Sequence, residues 1–290
     1  MKAIETNNLT KFYGKERGIT DVTLSVDEGD FFGFIGPNGA GKSTLIRTLL
    51  GLISKTSGDA KIFGMDIQKD KTEVLKNVGY LPSETVFYSG MRVGELISFS
   101  AKLRGIKCAE NAKKLCERLD LDTSRRVNEL SLGNRKKVGI VCAMQHDPGL
   151  YILDEPTSGL DPLMQHEVYS LLSEKCNDGA TVFLSSHILS EIGRYCKHAA
   201  VIREGKILAC DEIGKLSHTD AKRVVLGGVT SPVEFENMRD VKYENDSVSF
   251  LYGGDVKELV RQLDGVDFND IAIENPELDE VFLHFYKEGE

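Results

Sequence analysis

The stretch that most constrains what this chain can fold into is Gly36-Pro37-Asn38-Gly39-Ala40-Gly41-Lys42-Ser43-Thr44. Closely spaced glycines let backbone N–H groups converge on one point, and the lysine and hydroxyl that follow bring a cation and an oxygen ligand to it. The apolar run Phe31 to Ile35 reads as a buried strand entering this loop, and Lys42 to Leu50 as the helix leaving it. An anion is stabilised at such a helix N-terminus by unpaired N–H groups and the helix dipole. The spacing G-x-x-x-x-G-K-[ST] is that of a phosphate cradle. It places Lys42 on the β- and γ-phosphates of a nucleotide and Ser43 on Mg2+, with Asn38, Gly39, Ala40, Gly41 and Thr44 completing the wall.

A second constellation follows the apolar run Tyr151 to Leu153. Asp154 and Glu155 fall at the C-terminal end of that strand, the edge of an α/β sheet where ligands bind. Asp154 is expected to hold Mg2+, and Glu155 to orient and polarise the attacking water; the plainer reading is a pair of turn-capping carboxylates before Pro156. His187 follows the strand Thr181 to Ser185 at the same edge, where an imidazole can donate to the γ-phosphate or be structural. Tyr13 is either a platform for the adenine base or a strand-end aromatic over a small core. Leu130-Ser131-Leu132-Gly133-Asn134 precedes a helical pattern over Arg135 to Met144. It reads as a second anion site serving a nucleotide held by another copy, or as a helix N-cap at Ser131.

The 290 residues, 41% of them hydrophobic, suffice for one large domain or two smaller ones. Strands alternate with helices up to about residue 215, which indicates a mostly parallel sheet covered on both faces. Ile4 to Leu9 and Val22 to Val26 suggest a small antiparallel sheet before it. Residues 85–146 follow a helical rhythm and are expected to form an inserted helical subdomain. From Ser217 the elements shorten to a βαββαβα pattern, with helices at Val233 to Met238, Val256 to Leu263 and Leu278 to Tyr286 and a hairpin around Asn245-Asp246. The expected division is thus 1–216 and 217–290.

A net charge of −9 argues against a nucleic-acid groove, and the run Arg135-Lys136-Lys137 reads as a solvated helix face. The six cysteines include no C-x-x-C pair and read as buried thiols of a reducing compartment. No stretch approaches 18 consecutive apolar residues and the N-terminus has no apolar signal segment. The expectation is a soluble chain whose membrane work passes through a partner.

In combination these motifs resemble the ATP-binding cassette (ABC) ATPases, the motor subunits of membrane transporters. Gly36 to Thr44 is like their Walker A, Leu130 to Asn134 like their LSGGQ signature, Leu150 to Glu155 like Walker B, Ser158-Gly159-Leu160-Asp161 like the D-loop, and His187 like the switch histidine. The resemblance implies a P-loop NTPase core that binds ATP with Mg2+. It also implies Tyr13 as the stacking aromatic, Asp161 at the nucleotide, and Ser131 and Gly133 contacting the γ-phosphate across a head-to-tail dimer. The partners implied are a second ABC ATPase subunit and a membrane-spanning permease docked near Thr85 to Met91, with Phe87, Tyr88 and Met91 at the contact. The place of work is the inner face of the cell membrane, and no nucleic acid is expected.

Two departures stand out. Gly79-Tyr80-Leu81-Pro82 is followed by Ser83 and Glu84 where the family has a glutamine, with Glu84 a possible substitute, and Leu132 stands where a glycine is usual. The segment Glu277 to Leu283 resembles the tail of bacitracin and other antibiotic-resistance exporters. Two further readings stay open: a soluble ABC protein acting on nucleic acid or the ribosome, and a non-hydrolysing nucleotide switch.

Overall fold

The computed structural model describes residues 1–14, 16–88, 90–216, 221–229, 231–244 and 246–276. These fall into two compact units, Met1–Ile213 and Gly214–Glu290.

The first unit opens with strands β1 (Lys2–Tyr13) and β2 (Glu16–Asp27), then β3 (Phe31–Ile35), helix α1 (Lys42–Leu49), β4 (Ser57–Ile62), β5 (Met65–Asp66), α2 (Lys71–Lys76) and β6 (Val78–Leu81). Helices α3 (Val93–Arg104), α4 (Ala109–Arg118) and α5 (Leu132–Met144) follow, with one 3-10 turn at Val127–Glu129. The unit continues with β7 (Leu150–Asp154), α6 (Pro162–Asn177), β8 (Thr181–Ser186), α7 (Leu189–Tyr195), β9 (His198–Arg203) and β10 (Lys206–Glu212), before a one-turn helix α8 (Ile213–Leu216).

Two sheets result. The smaller is ordered β2-β1-β4-β5 and antiparallel; the larger is ordered β10-β9-β3-β8-β7-β6, with parallel pairing throughout except between β9 and β10. Every residue of β3, β7 and β8 is buried, as continuous apolar strands covered on both faces must be. Helix α1 buries Leu45, Ile46 and Leu49 in a core that also takes Ile4, Leu9 and Ile19 from the small sheet and Phe32, Phe34, Ile152 and Phe183 from the large one. The loop before α1 is therefore fixed by packing from two sides.

β1 and β2 run longer than the apolar alternation suggested. Leu9 pairs with Val22, and pairing continues through Lys11 with Ile19 to Tyr13 with Glu16, so Tyr13 ends a strand. Repeated register shifts let polar residues join the ladder without reversing which side chains are buried. Between β6 and β7, α3, α4 and α5 occupy the stretch read as helical, and α5 begins at Leu132 rather than Arg135.

In the second unit, β11 (Lys222–Gly227), β12 (Met238–Glu244), β13 (Ser247–Tyr252) and β14 (Asp270–Glu274) form an antiparallel sheet ordered β12-β13-β11-β14, and α9 (Val256–Gln262) lies between the last two in sequence. Val224, Leu226, Val248, Phe250 and Tyr252 share its core with Leu259 and Leu263. The helix expected over Val233 to Met238 does not form. The Val233 N–H donates instead to Tyr243 Oη at 3.2 Å, Phe235 packs on Phe250 with ring centroids 5.6 Å apart, and Met238 already pairs with Tyr252. Tertiary burial of Phe235 outweighs a short helical pattern that Pro232 precedes. Of the expected hairpin, Glu244 pairs with Ser247 while Asn245 lies outside the described residues, as do the helix Leu278 to Tyr286 and the exporter-like segment Glu277 to Leu283.

His146 follows α5 and places Nε2 3.3 Å from the Val78 carbonyl oxygen of β6, while its buried Nδ1 has no hydrogen-bond partner. Burial, aided by the Arg104 guanidinium, pushes its pKa down from 6.5 to about 4. Between those values the unfolded chain binds a proton that the folded one resists, so stability is lost as pH falls through this window. The urea midpoint is expected to drop from pH 6.5 to 4, and His146→Asn to flatten part of that slope. An unchanged difference between the two proteins across pH would exclude this role.

Candidate active site

The C-terminal ends of β3, β7 and β8 lie side by side, with Ile35 paired to Ser186 and Asp154 to Ser185. Whatever follows these strands is delivered to one edge: the glycine loop after β3, Glu155 after β7 and His187 after β8. In the loop, Gly41 has φ of 107°, and a Cβ there would meet the Gly18 carbonyl oxygen at 2.8 Å. Only glycine makes that turn into α1 without strain.

Ser43, in the first turn of α1, donates from Oγ to Asp154 Oδ2 at 2.6 Å. The other carboxylate oxygen of Asp154 accepts from the Ser185 hydroxyl. Asp154 is 1% exposed, so these two hydroxyls take the place of water around it. Glu155 adopts φ of 51°, a left-handed conformation disfavoured for a side-chain-bearing residue. Its N–H is anchored to the Ser185 carbonyl oxygen at 3.1 Å. Strain of this kind persists only where the surroundings fix it.

Lys42 Nζ donates to the Gly36 carbonyl oxygen at 2.6 Å and lies 3.5 Å from Glu155 Oε1, a buried atom with no hydrogen-bond partner. His187 Nδ1 lies 2.8 Å from Glu155 Oε2. A cavity of about 280 Å3 is lined by Tyr13, Asn38, Gly39, Gly41, Lys42, Ser43, Thr44, Asp154 and Glu155, and also by Gly18 and Ser83. Tyr13 is 44% exposed, with Lys11 Nζ 5.3 Å from its ring centroid. Ala40 is buried in the loop and donates its N–H to the Pro37 carbonyl oxygen at 3.1 Å.

The remaining sequence-derived candidates stand apart from this cavity. Ser131 caps α5, its Oγ accepting from the Asn134 N–H at 3.3 Å. Gly133 packs so closely on the following loop that a Cβ would lie 2.7 Å from the Gly159 carbonyl oxygen. Leu132 is 57% exposed, with its side chain over Gly159, so the extra bulk at this position is accommodated against that loop. Asp161 accepts from the Met164 N–H at 3.0 Å and caps α6. Residues 131–133 and 158–161 thus make one partly exposed surface.

Three expectations are corrected. Glu84 is exposed and does not line the cavity, which Ser83 lines instead. The basic run after the signature is not a solvated face: Lys136 is 2% and Lys137 8% exposed, since α5 is packed on nearly all sides. Of the six thiols expected to be buried, only Cys116 and Cys196 are; Cys108, Cys142 and Cys176 are half-buried and Cys210 is exposed, all six being free.

Ser185 and Glu191 were not foreseen. Ser185 looks like one more residue of a buried strand. Glu191, on α7, accepts from Thr157 Oγ1 at 3.1 Å and Tyr169 Oη at 2.7 Å, with Ser186 Oγ at 3.3 Å. It ties the loop after Glu155 to the strand end before His187.

A phosphate cradle, two strand-end carboxylates and a histidine at one sheet edge define a nucleotide-hydrolysing P-loop protein. The sequence profile of the ABC transporter family matches residues 19–158. The chain is 41% identical to the bacitracin transport ATP-binding protein BcrA of Bacillus licheniformis over 211 residues, 71% of this chain and 68% of that protein. It is 28% identical to the uncharacterized ABC transporter ATP-binding protein YhaQ of Bacillus subtilis across 96% of both chains. A solved ATP-binding subunit of an ABC transporter superposes with a TM-score of 0.70 at 32% identity, over 74% of this chain and 91% of that one. The chain belongs to the ABC transporter family as an ATP-binding subunit, an ABC-type ATPase.

The Ser185 hydroxyl bonds a fully buried carboxylate. Ser185→Ala is expected to lower stability by about 1.5–3 kcal/mol, the usual worth of a hydrogen bond to a charged group. Urea denaturation measures it, and a loss below about 0.5 kcal/mol would show that Asp154 finds another donor.

Proposed function

We propose that this chain is the ATP-hydrolysing motor of a membrane exporter, working in a pair of ATPase subunits on a membrane-spanning permease at the inner face of the cell membrane. The observation that carries this reading is one cavity lined by Lys42, Glu155 and the Ser43–Asp154 pair, with His187 reaching its edge through Glu155.

Lys42 holds the β- and γ-phosphates, with the loop N–H groups from Gly39 to Ser43 around them and Tyr13 stacking the base. Ser43 Oγ and Asp154 Oδ2, 2.6 Å apart, are a hard-oxygen pair suited to Mg2+, which takes few protein ligands and fills its shell with water and phosphate oxygens. Held by Ser43 and Asp154, such an ion would supply positive charge against the phosphates. Glu155, held in place by Ser185 and facing Lys42 and His187, orients and polarises the attacking water. His187, 51% exposed at its side chain, has room to donate to the γ-phosphate.

The partly exposed surface at Ser131, Gly133 and Asp161 supports closure by a second subunit placed head to tail. Exposure of Tyr88 (71%) and Val86 (87%), with Phe87 and Met91 half-buried beside them, supports permease docking at this segment. No helix among the described residues is long and apolar enough to cross a membrane, which suits a subunit that works through such a partner. The relative named for bacitracin transport supports a transport role; export as the direction rests on the resemblance of the segment Glu277 to Leu283. Residues 1–216 carry the ATPase and 217–290 an accessory role, a division supported by the compact units that meet at Ile213 and Gly214.

Glu155→Gln is expected to lower steady-state ATP turnover by about 10²- to 10⁴-fold, the usual span for a lost general acid or base. ATP affinity should stay within about threefold of the parent, because the lost interaction belongs to the transition state. A variant with parental turnover would overturn the assignment.

A further inference from the structure

Lys136 stands out among the ionisable side chains of this unit. It is 2% exposed, yet an ammonium is costly to bury, and an apolar residue of similar length would fill the same space. Its Nζ donates to the Ser83 carbonyl oxygen at 2.7 Å and lies 3.4 Å from that of Pro82. Ser83 lines the cavity that Lys42, Asp154 and Glu155 also line. One turn further along α5, Gly139 lies so close to Leu81 and Thr85 that a Cβ would meet their side chains at 2.7 and 2.8 Å. Helix α5 is thus seated on the exit of β6. Leu81 of β6 in turn pairs with Leu153, next to Asp154. Ser131, at the start of the same helix, lies on the surface proposed to close over a second subunit's nucleotide.

We propose that Lys136 is a positioning residue for ATP hydrolysis: its buried ammonium fixes the Pro82–Ser83 turn against the nucleotide cavity and links that turn to helix α5. The inference rests on the ATPase reading above. Burial pushes the ammonium pKa down, and the nearby carboxylates of Asp154 and Glu155 pull it back toward the charged form. The charge of the hydrolytic site therefore acts on Lys136, and Lys136 acts on the site through the Ser83 backbone. A change at the phosphates is passed to α5 by a hydrogen bond and a rigid helix, without a long side chain from the Ser83 turn.

The test uses the full chain with Lys136→Met and Lys136→Arg. Lys136→Met is expected to melt at or above the parental temperature, because an apolar side chain replaces a buried charge. Its kcat should fall roughly 10- to 100-fold, the cost of slight misplacement near a reacting centre. KM for ATP should stay within about threefold, and Lys136→Arg should restore part of kcat. An unchanged kcat in Lys136→Met would overturn the proposal, as would a joint fall of melting temperature and kcat that Lys136→Arg does not relieve.

Hydrogen exchange in the Glu155→Gln background decides the point without turnover. ATP should slow exchange in residues 82–88 and 136–139 together, and Lys136→Met should abolish the slowing in 136–139 alone. Equal protection of both segments with and without Lys136 would overturn the link. A parent chain that binds no ATP, or turnover indifferent to Glu155→Gln, would defeat the ATPase reading instead.

Discussion

A hydroxyl in the first turn of α1 bonded to a carboxylate at the end of β7 joins residues 111 positions apart, and the rest of the site depends on that meeting. It requires β3 and β7 to end at the same level, which parallel pairing of both with β8 provides. It also requires α1 to be clamped between two sheets, so that the glycine loop has one place to go. With those conditions met, a helix N-terminus rich in free N–H groups faces a pair of acids across about 280 Å3. An acceptor-only carboxylate edge thus stands opposite a donor-only helix end, the first suited to a cation and the second to phosphate oxygens.

The charges around this gap are balanced by geometry. Asp154 is held by two hydroxyls, whereas Glu155 stands between Lys42 and His187 with one carboxylate oxygen lacking a hydrogen bond. Neighbouring acids thereby acquire different chemistry from different surroundings. Glu191 and Lys136 act one layer out. The first braces the loops that carry Glu155 and His187, and the second braces the turn that carries Ser83.

Much of the site was legible because its chemistry is contiguous. Gly36 to Thr44 and Tyr151 to Glu155 are short runs whose spacing alone fixes strand, loop and helix. Residues that act across the fold left no such signal. Ser185 looks like any strand residue until Asp154 is placed beside it, and Lys136 sits in a basic run that usually marks solvent. What buries Lys136 is the seating of α5 on β6 through Gly139, a tertiary contact that periodicity does not encode. The loop over Val233 to Asn237 escaped for a similar reason, since Phe235 is claimed by Phe250 and Tyr243 by the Val233 backbone. The length of β1 was hidden because Lys11-Phe12-Tyr13 breaks the apolar alternation while the backbone ladder continues.

The central claim is that α1 and β7 act on one metal–nucleotide ligand through Ser43 and Asp154. Titrating ATP into the full chain with and without Mg2+, beside Ser43→Ala and Asp154→Asn, tests it most directly. The expected result is that Mg2+ strengthens ATP binding by the parent, and that both variants keep the metal-free affinity while losing this gain. If either variant retains the full Mg2+ dependence, the two residues do not share the ion, and the site does not work as described.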